Sequence, residues 1–253
     1  MAGNTFKRME KKTTLPTEAV PELMTRIEAY MNPDAYNVDR KPYTICNLYF
    51  DEWDDDVIRT SVEKPWYKEK LRLRSYGTPT DDTKVFLELK KKCNKVGTKR
   101  RTKLPYRDLQ QYLATGRHPD GLSYIDEQVL REIDYYRSHH DVAPRVYVSY
   151  LRNAYFGKED PSFRVTFDSD ILTRRQDLDL ALGRYGEPAL SPGKTLLEVK
   201  FAGAVPVWFC RIMSEFGLSF HTFSKVGTDF KLYTYEQACA ARPNEEHILR
   251  LIH

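Results

Sequence analysis

The sequence predicts an α+β protein dominated by a mostly antiparallel sheet. Segments with period-two alternation, dense in β-branched and aromatic residues, outnumber the helical ones. The turn-rich GTPTDD at 77–82 reads as a hairpin connection between two of them. Six strand segments also repeat Lys or Arg on a single face, as in KLRLRSY (70–76), where Lys70, Arg72, Arg74 and Tyr76 alternate with Leu71, Leu73 and Ser75.

Along the chain, Thr5 to Thr13 reads as a strand, and Pro16 to Tyr30 as an amphipathic helix with Thr17 as N-cap. YTICNLYF (43–50) is a strand, followed by the acidic turn DEWDDD, whose Asp54, Asp55 and Asp56 read as solvated. Strands continue at 68–76, 84–92 and 98–104. A helix spans 106–115, ended by Gly116, and a second opens at Ser123 with Asp126 at capping-box spacing. Its far end carries His139 and His140, cations that complement a helix C-terminus rather than a metal pair. Strands at 145–156, 162–171 and 195–201 follow, then a helix at 206–216 closing on Gly217. HTFSKV (221–226) reads as a last short strand and NEEHILRLI as a terminal helix.

With 253 residues and Gly and Pro spread along it, the chain is expected to form one domain over residues 1–253. Lys and Arg number 40 against 36 Asp and Glu, a net charge of only +4, so bulk charge does not suggest a nucleic-acid partner. Cys46, Cys93, Cys210 and Cys239 are widely separated, without zinc or CxxC spacing, and are expected to be reduced thiols in the cytosol. No signal-peptide or membrane-spanning run is present, so the expected location is cytoplasmic.

On alternating faces, Arg8, Glu10 and Lys12 align, as do Glu88, Lys90 and Lys92, then Lys99, Arg101 and Lys103. Arg164, Thr166, Asp168 and Asp170 form another set, and Glu198 with Lys200 another. A half-buried sheet can present such a face to water. Yet like charges opposite one another across strands are unfavourable, and a face this basic is better explained by an anion that normally occupies it. Closing the sheet into a barrel puts the charged faces inside and the apolar faces under helices. Such a lumen concentrates polyanions, with Arg and Lys as phosphate ligands and the carboxylates suited to a bridging divalent cation.

The series Arg8-x-Glu10-x-Lys12, Arg72-x-Arg74, Glu88-x-Lys90, Arg152 with Arg164, Glu198-x-Lys200 and Ser224-Lys225 resembles the triphosphate tunnel metalloenzyme (CYTH-like) superfamily. The similarity is to its VTC-type polyphosphate polymerase branch and covers nearly the whole chain, residues 5 to 235. The resemblance implies a closed antiparallel barrel, a triphosphate tunnel of about eight strands with helices packed outside. It implies metal-dependent transfer of the γ-phosphate of ATP to a growing inorganic polyphosphate chain. By position, catalytic roles fall to Arg152, Arg164 and Lys200. Phosphate and nucleotide binding falls to Lys12, Arg72, Arg74, Lys90, Lys99, Arg101, Ser224 and Lys225. Mn²⁺ or Mg²⁺ would sit on Glu198, with Glu10 or Glu88 nearby. The implied partners are ATP and inorganic polyphosphate, with no nucleic acid, no direct membrane insertion, and a separate protein as anchor for any membrane role. Two positions depart from the pattern. Arg8 stands where the phosphatase and cyclase branches carry Glu, which favours the polymerase branch, and Thr222 stands where a phosphate-gripping Lys is expected. A tunnel triphosphatase and a non-catalytic polyphosphate-binding module are the alternatives.

Overall fold

The computed structural model describes residues 8–63, 65–94 and 96–241. Strand β1 (Arg8–Pro16) leads through a short 3-10 turn into helix α1 (Val20–Ile27) and the brief strand β2 (Met31–Pro33). Strand β3 (Tyr43–Asp51) and helix α2 (Asp56–Val62) precede three consecutive strands, β4 (Tyr67–Tyr76), β5 (Lys84–Cys93) and β6 (Val96–Pro105). Helices α3 (Tyr106–Thr115) and α4 (Tyr124–His139) follow. The long strands β7 (Ala143–Gly157) and β8 (Arg164–Arg174), the two-residue β9 (Glu187–Pro188) and β10 (Lys194–Ala202) complete the sheet, and α5 (Val207–Glu215) and α6 (Lys225–Ala241) end the described chain.

All pairings are antiparallel, in the order β1-β10-β8-β7-β3-β4-β5-β6, with β2 added to β7 and β9 to β8. The structure does not form the expected closed barrel of about eight strands: among the described residues the sheet has ten strands and is open, with β1 and β6 as its edges. The local reason lies at β1. Its free edge is met by the segment before α6, where the His221 N–H donates to the Lys12 carbonyl at 2.8 Å, so β6 is not its neighbour.

Alternation sorts the apolar side chains into three cores. Leu71, Leu73, Leu87 and Leu89 face outward beneath Leu109, Leu130 and Ile133 of α3 and α4. Val165, Leu197 and Val199 pack beneath Leu23 and Ile27 of α1 and Phe209 of α5. A third core lies on the other face, where Ile58 of α2 and Val226 of α6 meet Ile45, Val148, Tyr150 and Leu196. Helices α2 and α6 thus occupy part of the concave face and leave the remainder polar.

Several local expectations change. Thr17 does not cap α1; its hydroxyl pairs with that of Thr195 at 2.9 Å, and the helix starts three residues later than Thr17. The acidic turn is not simply solvated. Asp51 accepts the N–H groups of Val57 and Ile58 at 2.8 and 2.9 Å and so organises α2 from outside the helix, while buried Asp55 pairs with Arg175 at 2.7 Å. Residues 224–226 are not strand. The Ser224 hydroxyl accepts the Gly227 N–H at 3.1 Å and starts α6. By contrast, Ser123 caps α4 as its spacing predicts, accepting the Asp126 N–H, and Gly116 ends α3 with φ at 73°. The segment NEEHILRLI lies outside the described residues. Among the described residues, no helix is long and apolar enough to cross a membrane.

Candidate functional site

The strand register puts the predicted charges on one concave face in rows that run across the strands. On one wall, Glu10 opposes Lys200, Lys12 opposes Glu198, and Arg152 opposes Asp168. On the other, Asn47, Arg74, Phe86 and Lys103 form one row and Tyr49, Arg72, Glu88 and Arg101 the next. A third row is Lys70, Lys90 and Lys99, three lysines on three adjacent strands.

The first wall centres on Glu198, which is almost fully buried. Its carboxylate meets the ammonium groups of Lys225 at 2.8 Å, Lys12 at 3.4 Å and Lys200 at 3.6 Å, and the Arg152 guanidinium at 3.5 Å. Asp168, fully buried behind it, accepts both arms of Arg152 at 2.6 Å and the Lys225 ammonium at 2.6 Å. Toward the open side, Glu10 pairs with Lys12 at 3.0 Å and Lys200 at 3.7 Å. Lys12 is fixed further by donating to the Phe223 carbonyl at 3.1 Å. The Tyr150 ring lies beneath Arg152 and Lys225, 5.0 and 4.6 Å from its centroid.

The second wall centres on buried Glu88, held by Arg72 and by Lys99 at 3.1 Å. Arg72 also donates to the Tyr49 hydroxyl at 3.1 Å. Arg74 donates to Asn47 at 2.9 Å and to the Tyr150 hydroxyl at 3.3 Å. Arg101 lies 4.9 Å from the centroid of the Phe86 ring.

Burial alone would raise the carboxylate pKa values, but the surrounding cations win. Lys200 and Lys12 hold Glu10 down at about 2, and Arg72, Arg74 and Lys99 hold Glu88 at about 2. Glu198 and Asp168 are lowered too, against a large desolvation penalty, by Lys225 and Lys12 in the first case and Arg152 and Lys225 in the second. The lysine row behaves in the opposite way. Burial, aided by Lys68 and Lys90, pushes Lys70 down to about 8, and burial lowers Lys90 and Lys99 as well. Two such charges ~5 Å apart repel by about 3 kcal/mol at an effective dielectric near 20.

A pH dependence follows with a defined sign. A carboxyl with a depressed folded-state pKa stabilises the fold above its unfolded value and loses that contribution as pH falls toward the folded one. For Glu88 the span runs from 4.5 to about 2. At about 1.4 kcal/mol per unit this is on the order of 3 kcal/mol from one side chain. Urea midpoints should therefore fall steeply between pH 4.5 and 2, and a flat profile there would contradict the ion-pair assignment.

Of the predicted residues, the fold gathers Glu10, Lys12, Arg152, Glu198, Lys200 and Lys225 on one wall and Arg72, Arg74, Glu88, Lys99 and Arg101 on the other. Lys90 lies between them, close enough to Glu10 and Lys200 for both to act on its ammonium. Two residues stand apart. Arg164 is 45% exposed, and its ion pair is with Asp34 at 3.9 Å; Ser224 is exposed, and its hydroxyl is committed to capping α6. Glu88, between Arg72 and Lys99 on the opposite wall, does not join Glu10 and Glu198. Alternation placed Asp168 on the charged face, but its role needed the register with Arg152, which residue spacing does not supply. Tyr49, Asn47 and Tyr150 were missed because polar aromatics and amides carry no charge signal. Lys70 was visible in the opening motif and received no role. Among the described residues no group of three or more His, Cys, Asp and Glu is arranged around a metal position. Glu198 and Glu10, diagonal neighbours on adjacent strands tied by Lys12 and Lys200, are the carboxylates best placed to share a cation.

The chain matches the VTC domain over residues 7–232. Among solved structures, a candidate adenylate cyclase from Bacillus halodurans is similar with a TM-score of 0.52 and 15% identity, covering 88% of this chain and 96% of that one. A Hippeastrum protein, a candidate adenylyl cyclase described as having a dominant triphosphatase activity, gives 0.48 at 17% identity over 86% and 93% of the two chains. A candidate adenylate cyclase from Vibrio parahaemolyticus gives 0.47 at 9% identity over 89% and 98%. The first likeness shows a common fold, and none of the three carries an activity to this chain. No curated protein matches it.

Proposed function

The chain belongs to the VTC domain family, and from that premise we propose that it is a metal-dependent phosphotransferase moving the γ-phosphate of ATP onto inorganic polyphosphate. The observation that carries this reading is the concave face, where two clusters of Arg and Lys lie on opposing walls around few carboxylates. Phosphoryl transfer needs in-line positioning and charge neutralisation more than covalent chemistry by the protein. A terminal phosphate oxygen of the acceptor forms the new P–O bond as the bond from the γ-phosphorus to the bridging oxygen breaks, and ADP departs with that oxygen. The attacking oxygen is already anionic, so no protein nucleophile or base is required. Arg152, Lys200, Lys12 and Lys225 would hold the transferring phosphate, with Arg72, Arg74, Lys90, Lys99 and Arg101 along its neighbours. Arg164 and Ser224 would act only at the margin, from the exposed positions they occupy.

The carboxylates fit a hard divalent cation in part. Glu198 and Glu10 would hold Mn²⁺ or Mg²⁺, whose remaining ligands would be phosphate oxygens and water. When bound, the cation neutralises charge on the transferring phosphoryl group. Glu88 serves instead to orient Arg72 and Lys99.

A second reading gives water the acceptor's place and makes the protein a triphosphatase. It is favoured by the 35% exposure of Glu10, which keeps this end of the wall open to water. Acceptor dependence separates the two. With ATP and Mn²⁺, short polyphosphate should accelerate ADP release; for a triphosphatase it should compete and slow it.

A further inference from the structure

Lys225 reaches Glu198 and Asp168 from the first turn of α6, so its place on the first wall depends on where that helix lies. Helical periodicity sets Asp229 and Tyr233, four and eight residues further on, on the same face as Lys225. Both meet a single residue, Arg175, which follows directly after β8. Its Nε donates to the Asp229 carboxylate at 3.0 Å, and its guanidinium lies 4.0 Å from the centroid of the Tyr233 ring. A second arm, Nη1, donates at 2.7 Å to Asp55 at the head of α2. The three charged side chains are withdrawn from water, with exposures of 14% for Arg175 and 7% for each carboxylate. Burial pushes the Asp229 carboxyl up, and Arg175 opposes that shift.

The apolar contacts of α6 do not fix its orientation by themselves. Val226 and Ile58 meet in the third core, and such contacts are non-directional. A planar guanidinium fork engaged at several points fixes both distance and angle. We propose that Arg175 is a positioning residue for the phosphate site: through Asp229 and Tyr233 it sets the rotation of α6 and its position along its axis, and so holds the Lys225 ammonium on Glu198 and Asp168. This rests on the reading of Lys225 as a phosphate ligand given above. The ion pairs of Arg175 are with Asp55 and Asp229, neither of which is a carboxylate of the concave face, so its effect on phosphate passes through Lys225.

The test is a double-mutant cycle of Arg175→Met and Lys225→Met, read by ADP release from ATP with Mn²⁺. Arg175→Met alone should lower turnover at least about tenfold, since a misplacement of ~1 Å can cost about 100-fold. In the Lys225→Met background the same change should cost less than about twofold, because the group it positions is already gone. A merely structural Arg175 would give equal losses in both backgrounds, and that result would overturn the proposal, as would wild-type turnover in Lys225→Met. Asp229→Asn, which leaves the Arg175 bond to Asp55 in place, supplies the same cycle if Arg175→Met does not fold. Calorimetry with inorganic tripolyphosphate in EDTA repeats the cycle without turnover. Affinity should fall about tenfold with Arg175→Met and be unaltered by it in Lys225→Met; equal losses would overturn the assignment. If wild-type protein releases only free phosphate from ATP, the phosphotransfer reading fails, and the binding cycle still decides the role of Arg175.

Discussion

Glu198→Gln is expected to lower metal-dependent turnover by at least about 100-fold, the scale seen when one preorganised electrostatic group is removed from a reacting centre. Four cations converge on this carboxylate, and it is the buried member of the pair best placed to hold a divalent ion. The amide keeps the shape and removes the charge. Because Asp168 still pairs with Lys225 at 2.6 Å, the variant should fold, and metal-free polyphosphate affinity should hold or rise as the face becomes more basic. Turnover in Mn²⁺ and calorimetric binding in EDTA read the two effects separately. Unchanged turnover would remove Glu198 from the reaction.

Asp168→Asn should have the largest effect on stability. Asp168 is fully buried and accepts three charge-assisted bonds from Arg152 and Lys225. Neutralising it leaves two buried cations sharing the more distant Glu198, and breaking a buried pair from one side typically costs about 3–5 kcal/mol. At about 2–4 °C per kcal/mol for a domain of this size, the thermal midpoint should fall by roughly 10 °C. Inorganic tripolyphosphate should recover more of that loss than it adds to the wild type, because its charge replaces the missing carboxylate. A midpoint within a degree of wild type would mean that Arg152 and Lys225 do not depend on Asp168.

What residue patterns could reveal was the face on which each charge lies. Period-two alternation fixes this for any strand, and Glu10, Lys12, Arg72, Arg74, Glu88, Lys90, Glu198 and Lys200 lie together as their spacing indicates. Pairing was not legible. That Asp168 meets Arg152, and that three lysines fall in one row, depends on a register set by long-range contacts between strands far apart in the chain. Barrel closure was overread for the same reason, since alternation says which face is inside and nothing about whether two edge strands meet. The start of α6 was hidden because HTFSKV carries β-branched and aromatic residues. Its helical fate is decided by the Ser224 cap and by Val226 packing in the third core. Helix α2 was hidden because its organising residue, Asp51, belongs to the preceding strand.

On the phosphotransfer reading, the γ-phosphate of ATP ends in a phosphoanhydride polymer. The direct measurement supplies ATP labelled at the γ-phosphorus with Mn²⁺ and traces the label by gel and thin-layer separation as ADP accumulates. Label should appear in a ladder of polyphosphate in proportion to ADP formed, and that ladder should be lost in Glu198→Gln. Label found solely as free phosphate, equal to the ADP, would contradict it and assign the same basic face to hydrolysis.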